Sequence, residues 1–216
     1  MLAADVRVGK GVSLGPGAVV HDGAVLGEAV AIGEGAVLGK PPRLSRRSTA
    51  PREASLPLEV GDGAAIGAGA VLLAGARVGA RTRIGDGAHV RERARLGPDS
   101  TIGAGAALDN DITAGAGVAI GAGAYLVRGS LVEDAVQVGE DVVTANDDTM
   151  GRHPPGADLT GVTLRRGCRI GARAVLLPGV EVGPEATVEP DSVVTRDVQA
   201  GGRVEGVPAR ASTGAA

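Results

Sequence analysis

The sequence predicts an all-β chain wound as a three-sided parallel β-helix of about nine coils. Three observations predict it. An aliphatic residue recurs every six positions. A small or β-branched residue such as Ala18, Ala70, Ala88, Ser100, Val136 or Ala174 follows four positions later. Glycine sits directly after the aliphatic residue at two places out of every three. The beat runs Val8, Leu14, Val20, Leu26, Ile32, Leu38. It resumes at Val60, continues through Ile66 and Leu72 to Thr144, and returns from Leu164 to Val194.

A six-residue unit suits a short strand followed by a tight turn, where glycine is expected to supply backbone angles that other residues resist. Strand alternation then sends the aliphatic and the small residue inward, with one outward residue between them. Three units make an 18-residue coil. Sorted by place in that coil, the residue after the aliphatic one is Gly9, Gly27, Gly61, Gly79, Gly97 and Gly115, then Glu133, Arg165 and Gly183, at the first corner. At the second it is Gly15, Gly33, Gly67, Gly85, Gly103, Gly121, Gly139 and Gly171, then Glu189. At the third it is His21, Gly39, Leu73, Arg91, Asp109, Val127, Ala145, Leu177 and Thr195. Stacked at ~4.8 Å per coil, the column is about 43 Å long.

Both breaks in the beat fall at that third corner. The chain reads as one domain, 1–216, with loops at 40–59 and 145–163 and a short tail at 199–216. The loops lie five coils apart on one edge, and long loops in a repeat array are usually functional. On the strand entering this corner the outward residues are Val19, Val37, Val71, His89, Ala107, Tyr125, Val143, Val175 and Val193. An exposed apolar stripe of that length marks an interface. The sequence therefore predicts an oligomer packed along the stripe, with sites at the adjacent corner.

Composition bounds the function. The 216 residues include no Phe, no Trp and one Tyr, so the core is built from Val, Ile, Leu and Ala. A net charge of -3 and no stacking platform argue against nucleic acid. No apolar run nears the ~18 residues that span a bilayer, and the N-terminus lacks the regions of a signal peptide. One cysteine excludes an internal disulfide, and a cytoplasmic protein is the default expectation. Cys168 falls at an inward position and reads as core. Matches to Gly-x-Gly-x-x-Gly, as from Gly33 to Gly39, arise from the repeat and carry no dinucleotide meaning.

The hexapeptides resemble those of the bacterial acyltransferases that fold as left-handed parallel β-helices. The stretch Ile170 to Val180, then Val193 to Val198 and Gly206-Val207-Pro208-Ala209-Arg210, is similar to that family's usual ending. The resemblance implies left-handed coiling, a homotrimer, and acetyl-CoA lying between neighbouring subunits. Ala172, Arg173, Arg196 and Arg210, in the C-terminal coils, are the CoA contacts it implies. A narrower likeness lies in Glu133 to Gly139 followed by Val143-Thr144-Ala145-Asn146-Asp147. It is similar to a segment of N-acetyltransferases acting on nucleotide-linked amino sugars, and it implies that Asn146 holds the amino group near the thioester, with Asp147 beside it. This chain has an Ala between the Thr and the Asn, and lacks the aromatic residues common there.

Below Asn146 at 18-residue steps stand Arg128, Asn110 and Glu92, flanked by Asp109, Asp111 and Arg93. This ladder is either a solvated edge of paired charges or a polar wall orienting a substrate. His153, in Arg152-His153-Pro154-Pro155, corresponds to a His-Pro that contains the general base in sugar O-acetyltransferases. It is otherwise an ordinary loop histidine. His89 and Tyr125, two coils apart in the valine column, could touch substrate or a partner subunit. Three histidines invite zinc, but His21, His89 and His153 are separated by several coils, so no metal site is expected. His21 is assigned nothing. Arg43, Arg46, Arg47 and Arg52 in the first loop could close over a phosphate-bearing ligand or form a solvated segment. The functional expectation is an acetyl-CoA-dependent N-acyltransferase on a nucleotide-linked amino sugar. The alternatives are O-acetylation with His153 as base, or a non-catalytic trimeric scaffold.

Overall fold

The computed structural model describes residues 1–44, 56–154, 157 and 159–212, and every regular element among them is a short strand. The strands form three parallel sheets. The first runs from Arg7–Val8 to Glu181–Val182, and the third from Val19–Val20 to Val193–Val194. The second runs from Ser13–Leu14 to Thr187–Val188 and continues into Arg203–Glu205 and Arg210–Ala211. Each strand pairs with the one a coil away, as in Arg83↔Thr101 and His89↔Ala107. The triangular parallel solenoid expected from the repeat is therefore the fold.

The core is the set of inward residues the beat predicts. Leu38, Leu72, Leu108, Leu126 and Leu176 are fully buried, as are the small residues Ala36, Ala70, Ala106, Ala124 and Ala174. Cys168 is buried among them, and burial pushes its thiol up to about 12, with help from the charges of Glu133 and Glu185. The column does not stop at Val194. Val198 bridges to Val182, Arg203–Glu205 pairs with Thr187–Val188, and Arg210–Ala211 folds back antiparallel over it. Much of the expected tail is thus a cap on the last coil. At the opposite end Val8 and Leu14, in core positions, are 46% and 41% exposed, because no further coil covers them.

Glycine serves the corners differently from the expectation. At the first two corners the glycine after the aliphatic residue has an ordinary φ, and the left-handed angles fall two residues later, as at Gly35 and Gly123; Gly39, at the third corner, is itself left-handed. What the first position requires is space. A Cβ on Gly33 would sit 2.6 Å from the Ala68 nitrogen, and one on Gly139 would sit 2.6 Å from the Ala172 nitrogen, both backbone atoms of the next coil. Several left-handed positions carry Arg or Asp instead, and these stack as Arg81 over Asp99, Arg93 over Asp111 and Arg173 over Asp191.

A further hydrogen bond distinguishes the corners. At the first two, the N–H of the left-handed residue donates to a carbonyl of the preceding coil. Examples are Gly35 to Pro16 at 2.9 Å, Gly87 to Ala68 at 2.8 Å and Arg173 to Glu140 at 2.8 Å. At the third corner, among the described residues, this bond is present only as Asp111 to Glu92 at 3.3 Å and, from the second loop, Gly179 to Thr160 at 3.2 Å. The third edge is laced more loosely, so it admits side chains and loops. Gly139→Ala should therefore destabilise by at least about 3 kcal/mol through forced backbone movement, a drop of several degrees in thermal midpoint. Gly35→Ala, with φ +63 and nothing within 4 Å of its Cβ, should cost only about 1 kcal/mol.

Candidate functional site

The room at the third corner is filled by charge. Glu92 lies inside the turn with its side chain 1% exposed. Arg91 grips it through Nε at 3.2 Å and Nη2 at 2.8 Å, and reaches Asp109 Oδ1 through Nη1 at 2.5 Å. Asn110 is buried in the next coil. Its backbone N–H donates to Asp109 at 2.9 Å and its amide to Asp111 Oδ2 at 2.6 Å. Arg93 Nε and Nη2 hold Asp111 at 2.5 and 3.0 Å, and Arg128 Nε stands 3.5 Å from the same carboxylate. One coil above, Asn146 Nδ2 donates to the Arg128 carbonyl at 3.3 Å. The ladder Glu92, Asn110, Arg128, Asn146 is thus continuous.

Burial opposes the Asp111 charge, but Arg93, Asn110 and Arg128 outweigh it and hold the carboxyl below its ordinary range. Burial also opposes the Arg91 charge, and Asp109 with Glu92 overcomes it. His89, half-buried in the strand leading to this corner, is pushed down by burial and by Arg91, with smaller opposing effects from Glu92 and Asp109. Tyr125 Oη donates to Asp109 Oδ2 at 3.2 Å, and burial followed by the Asp109 charge pushes its hydroxyl up to about 12.

In the second loop, Asp147 accepts hydrogen bonds from the Thr149 hydroxyl at 2.6 Å, the Thr149 N–H at 2.8 Å and the Gly151 N–H at 2.7 Å. These bonds, with a smaller contribution from His153, hold its carboxyl low. His153 is partly buried, with Nδ1 3.1 Å from the Pro154 carbonyl. A carbonyl only accepts, so this contact is a hydrogen bond in the tautomer that carries its proton on Nδ1 and leaves the lone pair on Nε2.

The structure gathers Asn110, Arg128, Asn146, Tyr125 and His89 along one edge, and Asp147 with His153 in the loop springing from it. It does not gather the residues implied for CoA. Ala172 and Arg173 are at the second corner, where Arg173 is already bound to Asp191 through two bonds of 2.7 and 2.6 Å. Arg196 is at the third corner, and Arg210 is in the capping strand. Both are exposed and form no ion pair among the described residues. Of the first-loop arginines, Arg43 is described and exposed; Arg46, Arg47 and Arg52 lie outside the described residues, as does Pro155. Two shallow troughs run along the second sheet. One of about 610 Å3 passes Ser13, Arg83 and Thr101; one of about 380 Å3 passes Gln137, Arg169, Ala172 and Pro190. Sequence reasoning missed these troughs, because they are lined by residues that the repeat makes unremarkable. It also missed that Glu92 is buried.

Among the described residues no group of three His, Cys, Asp or Glu could hold a metal, and no helix is long and apolar enough to cross a membrane.

Arg91→Met should lower stability by about 3 kcal/mol, because it strands a buried carboxylate. Arg81→Met, which breaks an exposed pair, should leave the thermal midpoint nearly unchanged. The pH dependence follows from the shifts. His89 takes up a proton more readily unfolded than folded, so stability should fall as pH drops below about 6.5; His89→Gln should flatten that part of the profile. The Asp111 contribution is present above about pH 4 and lost below it, and Asp111→Asn should remove that part of the acid limb.

The bacterial transferase hexapeptide (six repeats) family matches residues 5–40, and the hexapeptide repeat of succinyl-transferase matches residues 160–196. No curated protein matches the chain. Solved structures similar to it include a hexapeptide-repeat-containing acetyltransferase from Vibrio cholerae complexed with acetyl coenzyme A, with 21% identity and a TM-score of 0.45; the match covers 52% of this chain and 66% of that one. The soybean serine acetyltransferase apoenzyme gives 22% identity, TM-score 0.37, and 50% and 40% coverage. A UDP-N-acetylglucosamine O-acyltransferase from Moraxella catarrhalis gives 15% identity, TM-score 0.37, and 98% and 73% coverage. The chain thus spans less than two thirds of the first two. Hexapeptide-repeat models thus match both ends of the column, and the same six-residue unit continues between them.

Proposed function

We propose that the protein is an acyl-CoA-dependent acyltransferase that acetylates the amino group of a nucleotide-linked amino sugar. The observation that carries this reading is the loose third corner. There the loop bearing Asn146 and His153 joins a ladder of fixed polar groups, in a chain whose end repeats match transferase hexapeptide models. A scaffold would not need the loop.

The reaction this edge suits is direct aminolysis. The amine lone pair attacks the thioester carbonyl carbon, the C–N bond forms, the C–S bond breaks, and the amine's surplus proton leaves with the thiolate. Asn146, its amide nitrogen committed to the Arg128 carbonyl, presents Oδ1 as an acceptor for an amine N–H. Arg128, Asn110 and Asp147 hold the polar edge around it. Backbone N–H groups of a coil stabilise the oxyanion. Three copies pack along the valine stripe, which sets the third corner of one against its neighbour. The donor's slender arm suits the trough past Ala172, and exposed Arg196 and Arg210 suit its phosphates better than Arg173, which already has a carboxylate partner.

A second reading is favoured by the His153 contact. With Nδ1–H on the Pro154 carbonyl, Nε2 is poised to take a proton from a hydroxyl. Acetyl-CoA should raise the thermal midpoint, and a panel of nucleotide amino sugars should release free thiol from it. Asn146→Ala should lower kcat/KM for the amine about 10–100-fold. His153→Asn should leave amine acetylation nearly intact. A loss of about 100-fold or more would assign the protein to the base-dependent reading instead, and no stabilisation by acetyl-CoA would reject both.

A further inference from the structure

Tyr125 is the one tyrosine of a chain without Phe or Trp. It stands where the outward column of the third sheet changes from valine to His89, Ala107 and Tyr125, between Val71 and Val143. Its hydroxyl donates to Asp109, one coil toward the N-terminus, so the ring leans across the coil of Ala107, whose single methyl leaves room for it. The other Asp109 oxygen takes Arg91 and the Asn110 N–H, and Arg91 is clasped by Glu92. A connected path runs from an interior carboxylate to a hydroxyl on the outer face.

The same corner closes one coil below without such a path. One coil below, Ala74 fills the place of Glu92, and burying a carboxylate is costly even when it is paired. A satisfied buried network instead fixes the groups at its ends. Here the end is Tyr125, 39% exposed, with His89 near enough to feel the charges of Arg91 and Asp109. With its proton on Asp109, the Tyr125 oxygen offers lone pairs to an incoming N–H or O–H. A neutral His89 offers a ring nitrogen, and the tyrosine ring offers an apolar face to C–H groups. Arg91 is spent on two carboxylates, so the place suits an uncharged or amine-bearing ring and not a phosphate.

We infer that Glu92 and Arg91 are positioning residues that hold Tyr125, beside His89, as the subsite for the hydroxyl- and amine-bearing ring of the acceptor. The inference rests on the acyltransferase reading above and adds to it the part of the acceptor that is recognised.

The single tyrosine makes the test local. Glucosamine, used as the probe ring, should produce a saturable near-ultraviolet tyrosine difference spectrum in the full chain. Glu92→Gln should weaken that binding about tenfold or more and lower the pH at which tyrosinate forms; Arg91→Lys, the second variant should the first fold poorly, should weaken binding likewise and displace the tyrosinate titration. In turnover assays Tyr125→Phe should raise the acceptor KM about tenfold and leave the acetyl-CoA KM unchanged. The inference is overturned by the absence of any glucosamine-induced change in the wild type, or by unaltered affinity and titration in both positioning variants. A Tyr125→Phe variant that changes assembly without touching acceptor binding would also overturn it. Stabilisation by acetyl-CoA, read on the same samples, separates failure of this subsite from failure of the acyltransferase reading.

Discussion

The close approach of stacked coils organises this molecule. At two corners of the triangle the backbone of one coil lies against the next so tightly that a Cβ cannot fit, and a lacing hydrogen bond closes each turn. Most positions at those corners are glycine, with Glu133, Arg165 and Glu189 as exceptions toward the C-terminal end, so they offer few side chains for chemistry. The third corner lacks most of that lacing and most of that constraint. Arg91, Asp109 and Val127 stand where the others have glycine, and both loops leave from there. The division between a sealed scaffold and a usable edge follows from backbone spacing before any functional group is considered.

Where the constraint is relaxed, electrostatics takes over the holding. Glu92 and Asn110 occupy interior positions that neighbouring coils fill with Ala74 or simple polar residues, and their partners Arg91, Arg93, Asp109 and Asp111 tie adjacent coils together through side chains. An exposed version of such a pair, Arg81 with Asp99, contributes little. The buried version cannot lose a member without leaving an unpaired charge. The same groups that replace the lacing also set the orientation of Tyr125 and support the turn from which Asn146 projects.

The repeat made the solenoid, its three sheets, its core and its loop-bearing edge legible, because an 18-residue period leaves few other ways to bury Leu38, Leu72 and Leu108 together. It also placed Asn146 above Arg128, Asn110 and Glu92, since residues a whole coil apart must stack. It gave the wrong reason for the corner glycines: sequence cannot tell a backbone angle from a close approach, and the left-handed φ proved to lie two residues on, at Gly35 or even Arg173. Nor could it separate corners in space. Arg173 and Arg196 are near in number yet sit on different edges. The capping strand Arg210–Ala211 was hidden because it breaks the period that revealed everything else.

The central claim is that acyl transfer takes place at the loosely laced edge. Amide hydrogen exchange with and without saturating acetyl-CoA and an amino-sugar acceptor tests it most directly. New protection is expected at residues 91–93, 109–111, 125–128 and 145–153, and at the trough past Ala172 that takes the donor's arm, with the first corner unchanged. Protection confined to the first corner, or none at any edge, would contradict it.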